Sequence, residues 1–200
     1  MSSGLAMKKE ITREDILPMA TYEAERRELR RHLVAKKKLR RQDVGPVCTF
    51  YFENYETMWA QVHEMLYIEK GGEDQIADEL SAYNPLIPQG RELIATVMFE
   101  IDDPQRRHTF LAKMGGIEET AFFEVNSERV SGKPEADVDR TTADGKASSV
   151  QFIHFVFTDA QAASFKEAGS RVILGFDHPA YSHMTILAED VRAALAQDFD

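Results

Sequence analysis

Cysteine occurs once, at Cys48. A disulfide within the chain and a four-cysteine zinc site are therefore excluded. Tryptophan also occurs once, and no apolar run approaches the roughly 20 residues that a membrane-crossing helix needs. The start, M-S-S-G-L-A-M-K-K-E, lacks the apolar centre of a secretion signal, so a cytoplasmic location is expected. Several catalytic signatures are missing as well. There is no glycine-rich G-x-G-x-x-G or Gly-Lys-Ser/Thr phosphate loop, and no His-Glu-x-x-His or Gly-x-Ser-x-Gly motif. The Glu-x-x-His pair of carboxylate-bridged di-iron bundles is absent too.

What is present is a sizeable apolar inventory with a lopsided charge. Hydrophobic residues make up 43% of the 200 residues, with 12 phenylalanines, enough for a substantial core. The net charge is −10, yet residues 1–45 hold twelve Lys and Arg against seven acids, and the remainder is strongly acidic. Such asymmetry marks a nucleic-acid arm, a docking surface, or a basic helix lying on the acidic body of its own chain or of a sister subunit. Thr12 and Asp15 predict a short helix to about Met19. Thr21 can cap a long basic helix from Tyr22 to about Arg41, with a thin apolar stripe of Tyr22, Leu29 and Leu33. Residues 1–45 read as a helical arm and 46–200 as one domain.

In that domain V-C-T-F-Y-F-E-N reads as a strand, and helices are expected over Glu56–Glu69 and Glu73–Tyr83. Two segments then share one pattern of strand, acid cap, short helix, glycine stop and strand: Leu93–Val125 and Val150–Phe176. Asp102 and Thr158 stand as caps, and Gly115 and Gly169 as stops. The fold expected is α+β: a sheet built from two strand–helix–strand units with helices packed on it, plus the long basic N-terminal helix. Residues 131–149, polar and rich in turn formers, read as a flexible loop. A final strand at Met184–Leu187 and a helix from Glu189 close the chain.

The stretch G-F-D-H-P-A-Y-S-H, Gly175 to His183, follows directly on an apolar run. Polar residues just past a strand end are where open α/β sheets gather sites. Asp177, His178 and His183 could ligate a metal, iron or zinc. Asp177, His178 and Tyr181, with Glu64 from a helix, could also serve acid–base chemistry. A turn whose polar groups bond the backbone explains the same residues. Other histidines read as structural: His63 among Trp59 and Tyr67, and His154 inside an apolar strand. Cys48 reads as a small core residue.

Three stretches carry a family resemblance: F-E-N-Y-E-T-M-W-A-Q-V-H-E-M-L-Y-I-E, D-E-L-S-A-Y-N-P-L-I-P-Q-G and G-F-D-H-P-A-Y. Together they resemble bacterial domain-of-unknown-function family 3501. The family brings no established activity. Its genes tend to lie beside those for rubrerythrin-like di-iron proteins and iron–sulfur oxidoreductases. The resemblance therefore implies an accessory or binding protein in a peroxide or iron redox system. An acidic redox partner would meet Arg26, Arg27, Arg30, Arg31, Lys36, Lys37 and Arg40. Nucleic acid is the less favoured partner, and self-association is open. The alternative is a small metal-dependent or acid–base enzyme built on Asp177, His178 and Tyr181.

Overall fold

The structure, a computed structural model, describes residues 8–135, 141–142 and 145–200. Part of the segment read as a loop, residues 136–140 and 143–144, and the first seven residues of the arm lie outside the described residues.

A 3-10 turn at Arg13–Asp15 is followed by α1 (Met19–Lys38), then strands β1 (Arg41–Val44) and β2 (Cys48–Glu53). Helices α2 (Tyr55–Glu69) and α3 (Glu73–Tyr83) lead to β3 (Glu92–Phe99), α4 (Pro104–Leu111), β4 (Ala121–Val125) and β5 (Glu128–Pro134). The chain ends with β6 (Val150–Val156), α5 (Asp159–Lys166), β7 (Val172–Phe176), β8 (Met184–Ile186) and α6 (Glu189–Leu195). The fold is α+β. Its eight strands form one sheet in the order β1-β2-β3-β6-β5-β4-β7-β8. Every pairing in it is antiparallel. The edge strands β1 and β8 touch, so the sheet curls into a nearly closed barrel.

The alternation along β2 explains the layering. Cys48, Phe50 and Phe52 point one way and Thr49, Tyr51 and Glu53 the other, as a pleated strand requires. Inside the curl, Phe50 packs against Phe176 of β7 at 5.2 Å, and Phe52 against Phe123 of β4 at 5.7 Å. These strands are not neighbours in the sheet, so the rings meet across the interior. Phe165, Leu195 and Phe199 from α5, α6 and the C-terminus join this core. A second, smaller core lies on the outside, where Met58, Val62, Leu66 and Ile76 of α2 and α3 cover Ile94.

Several local expectations shift for definable reasons. The short helix after Thr12 is only a 3-10 turn, whose capping box joins Thr12 and Asp15. Pro18 starts α1 at Met19, since a helix tolerates proline only at its beginning. That helix ends at Lys38, not Arg41, because Arg41 begins β1 and faces Tyr51 of β2. Asp103, not Asp102, caps α4, since Pro104 occupies its first position. Gly116, not Gly115, adopts the left-handed conformation after that helix, at φ +79°. The segment 131–149 is anchored at both sides. Ser131–Pro134 belongs to β5, and Ala147 is buried in the barrel core. The antiparallel sheet also removes the strand-end crevice of a parallel α/β fold, on which the reading of Asp177–Tyr181 as a strand-end site rested.

Candidate functional site

The loop after β7 is held from several sides. Asp177 is exposed, its side chain 3.2 Å from Arg129. His178 is buried, and both ring nitrogens are engaged by the backbone. The Ala180 N–H donates to Nδ1 at 3.2 Å, so Nε2 carries the proton and donates to the Gly115 carbonyl at 3.2 Å. Tyr181 is buried against Phe99, Phe110 and Phe176. Its hydroxyl donates to the Val44 carbonyl at 2.8 Å and accepts from the Val47 N–H at 3.4 Å. Burial pushes its ionisation up to about 12. His183 is exposed and stacks edge-on against Tyr181 at 4.4 Å. The loop thus closes the barrel by gripping the β1–β2 hairpin. Gly45 sits in that hairpin at φ +71°, and a Cβ there would lie 2.5 Å from the Tyr181 hydroxyl.

Glu64 lies elsewhere. It accepts from the Tyr22 hydroxyl at 2.7 Å and from Arg26 Nε and Nη2 at 2.8 and 2.7 Å. The Arg26 guanidinium holds its carboxyl below the usual glutamate range. Tyr83 also belongs to this outer layer. The structure therefore brings Asp177, His178, Tyr181 and His183 together in sequence, and places Glu64 and Tyr83 over the opposite wall of the sheet. Among the described residues, no group of three or more His, Cys, Asp and Glu side chains is arranged to hold a metal ion.

Other candidates resolve simply. His63 is fully buried. The Leu17 N–H donates to its Nε2 at 3.0 Å, and its Nδ1–H donates to the Trp59 carbonyl at 2.7 Å. Burial lowers its affinity for a proton. Cys48 is buried and its thiol is pushed well up by desolvation, which leaves it unreactive.

The open chemistry is under α1. Only Tyr22 of this helix is buried. It is tied down near its start by Tyr22 and Arg26 on Glu64, and later by Lys36, whose ammonium lies 2.6 Å from Glu56. At its end Arg40 forms a buried pair with Asp198 and donates to the Phe52 and Glu53 carbonyls, both at 3.0 Å. Between these ties the helix bridges two hollows. One, of about 420 Å³, lies against α2 and is lined by Leu29, Leu33 and Trp59. The other, of about 630 Å³, lies against the outer face of β2, β3 and β6. Val34, Lys37 and Gln61 line both, so the hollows meet beneath the helix.

The second hollow has Glu53 in its wall. This residue is 7% exposed and accepts from Thr57 Oγ1 at 2.6 Å and Thr96 Oγ1 at 2.7 Å. The sequence does hint at it: glutamate ends an otherwise apolar strand on the face shared with Thr49 and Tyr51. Nothing in the sequence shows that Thr96, from a strand forty residues on, would meet it.

The family profile described as "Protein of unknown function (DUF3501)" matches residues 10–199. A crystallised protein from Burkholderia pseudomallei K96243, described as a novel protein of unknown function, is 37% identical. It superimposes with a TM-score of 0.88 over 95% of this chain and 99% of its own. No curated protein matches the chain. No described helix is long and apolar enough to cross a membrane. With a profile that spans almost its whole length and a relative that shares its sequence and its fold, the chain belongs to the DUF3501 family.

Proposed function

We propose that the protein is a binding protein whose basic helix α1 docks an acidic protein partner. The observation that carries this reading is the uneven use of the cations on α1. Arg26 and Lys36 turn inward to Glu64 and Glu56, Arg31 pairs with Glu28 on its own helix, and Arg40 is buried with Asp198. Arg27, Arg30, Lys37 and Lys38 are exposed, and no ion pair joins them to a described carboxylate. At 3.6 residues per turn these four fall within an arc of roughly 100°. Val34 stands in the middle of that arc and is 68% exposed. A chain with net charge −10 thus carries on this helix a basic stripe that forms no ion pair among the described residues. Such a stripe steers an acidic surface and fixes its orientation.

The redox setting implied by the family resemblance supplies partners of the right kind: rubrerythrin-like di-iron proteins and iron–sulfur proteins of the cytoplasm. In this reading α1 is the docking arm and the barrel with its other helices is the body. The alternative, an enzyme with iron or zinc at Asp177, His178 and His183 and acid–base work by Tyr181, would need His178 to release one of its two backbone bonds.

The test uses a purified rubrerythrin-like di-iron protein and isothermal calorimetry at two salt concentrations. The expected result is binding that weakens with salt and drops by at least about tenfold when Arg27, Arg30, Lys37 and Lys38 are all changed to Glu. Equal binding by this variant would remove α1 as the docking surface. Retention of the wild type on duplex DNA, and not on the di-iron protein, would move the reading to nucleic acid.

A further inference from the structure

The carboxylate of Glu53 poses a question that the docking stripe does not answer. Removing a carboxylate from water costs several kcal/mol unless a cation or enough donors replace the water. Glu53 is almost fully buried, yet its bonds come only from two neutral hydroxyls, Thr57 and Thr96. A carboxylate offers about four acceptor sites, so part of its capacity is unused. Among the described residues no Lys, Arg or His side chain forms an ion pair with it. Arg40 reaches only its main-chain carbonyl, because Asp198 holds the guanidinium.

The surroundings are those of a binding cavity. The hollow of about 630 Å³ falls in the size range of small-molecule sites. Its walls are mostly apolar: Met58 from α2, Met98 from β3, and Val150 and Phe152 from β6. The exposed Lys37, Lys38 and Arg41 stand at its mouth. Arg41 is turned onto the Tyr51 ring and toward Asp43 at 3.4 Å, while Lys37 and Lys38 carry no ion pair with a described residue. Negative charge deep in the wall and positive charge at the rim set opposite demands on one occupant.

We propose that this hollow binds a small organic zwitterion. Its protonated amine sits on Glu53, its aliphatic body lies along Met58, Met98 and Phe152, and its anionic end meets Lys37 and Lys38. A simple cation is repelled at the mouth. A simple anion meets Glu53 within. Only a molecule with both groups, spaced by a short apolar chain, satisfies the two ends. Lys37 and Lys38 belong both to the stripe of α1 and to the mouth of the hollow, so the variants below are placed at Glu53 and Met98, away from the stripe.

Three matched probes test it: ε-aminocaproate, hexylamine and caproate, titrated into the full chain. Binding is followed through the methyl resonances of Met58 and Met98. The zwitterion is expected to bind more tightly than either single-charge probe. Glu53→Gln should weaken ε-aminocaproate by about tenfold or more, as loss of one charge-assisted hydrogen bond implies. Met98→Trp, which fills the hollow without touching the carboxylate, should abolish binding of all three. Equal affinity for caproate and ε-aminocaproate would overturn the proposal, as would a Glu53→Gln protein that binds as well as wild type. Silence of both methionines toward every probe would overturn it too, since a lysine folding inward to neutralise Glu53 would produce that result. Should Glu53→Gln fail to fold, the order of the three probes and the Met98→Trp protein decide the matter.

Discussion

Asp198 and Glu53 are both buried carboxylates, and Arg40 touches both residues. The contacts differ in kind. Asp198, with a side chain 1% exposed, receives the guanidinium itself, and the pair locks the C-terminus to the end of α1. Burial pushes its carboxyl up, against the pull of Arg40. Glu53 receives only hydroxyls on its carboxylate and lies along a hollow. A charge answered by another charge, with no space beside it, serves the fold. A charge left short of a cation, with space beside it, is available to something else. The same contrast separates the loop at His178, where the polar atoms of buried His178 and Tyr181 are taken by backbone, from the stripe on α1, where four cations form no ion pair with a described carboxylate.

The largest test of this contrast is Arg40→Ala. It strands Asp198 and frees two carbonyls of β2, and should destabilise the protein by about 3–5 kcal/mol in denaturant unfolding. Changing Arg40 and Asp198 together to Leu should recover most of that loss. If the double change costs as much as the single one, the pair is not a self-contained lock.

Next comes the barrel-closing loop. His178→Ala leaves the Ala180 N–H and the Gly115 carbonyl without their partner, and should cost about 1–3 kcal/mol in thermal unfolding. Tyr181→Phe should cost a similar amount through Val44. A metal site would behave differently: iron or zinc bound by the wild type would be lost in His178→Ala while the two metal-free proteins melted at the same temperature.

A smaller effect tests the N-terminal segment. His63 is buried with its proton affinity lowered below the usual 6.5. The unfolded chain therefore binds the proton more readily, so stability is full above about pH 6.5 and declines as pH falls toward the lowered value. For one proton the slope is at most about 1.4 kcal/mol per pH unit. His63→Gln should flatten that part of the stability profile. An unchanged profile would place the acid sensitivity elsewhere.

The smallest change is expected at Glu53. Glu53→Gln keeps an acceptor oxygen for one of the two threonines and loses it for the other, but it also removes an unpaired charge. The two effects oppose, so unfolding should shift by less than about 1 kcal/mol. A loss as large as that of Arg40→Ala would make Glu53 part of the fold and erase the contrast.

The sequence alone determined much of the local structure. The alternation from Cys48 to Glu53, the helical spacing from Glu73 to Tyr83 and the Thr158 cap each depend on near neighbours, and each has a counterpart in the structure. The polar cluster at Asp177–His183 was equally visible. Its hydrogen-bond partners were not, because Val44, Val47 and Gly115, which bond Tyr181 and His178, lie far away in the chain. The same holds for Arg40. It reads as one more cation of a basic helix until the C-terminus folds back to bring Asp198 beside it. Glu53 is the converse case: an ordinary strand-end glutamate, made unusual only when β3 delivers Thr96 and α1 passes overhead. Hydrogen-bond satisfaction and burial depend on what is close in space. Closeness in this protein is set by an antiparallel sheet whose strand order departs from chain order and curls until β1 meets β8.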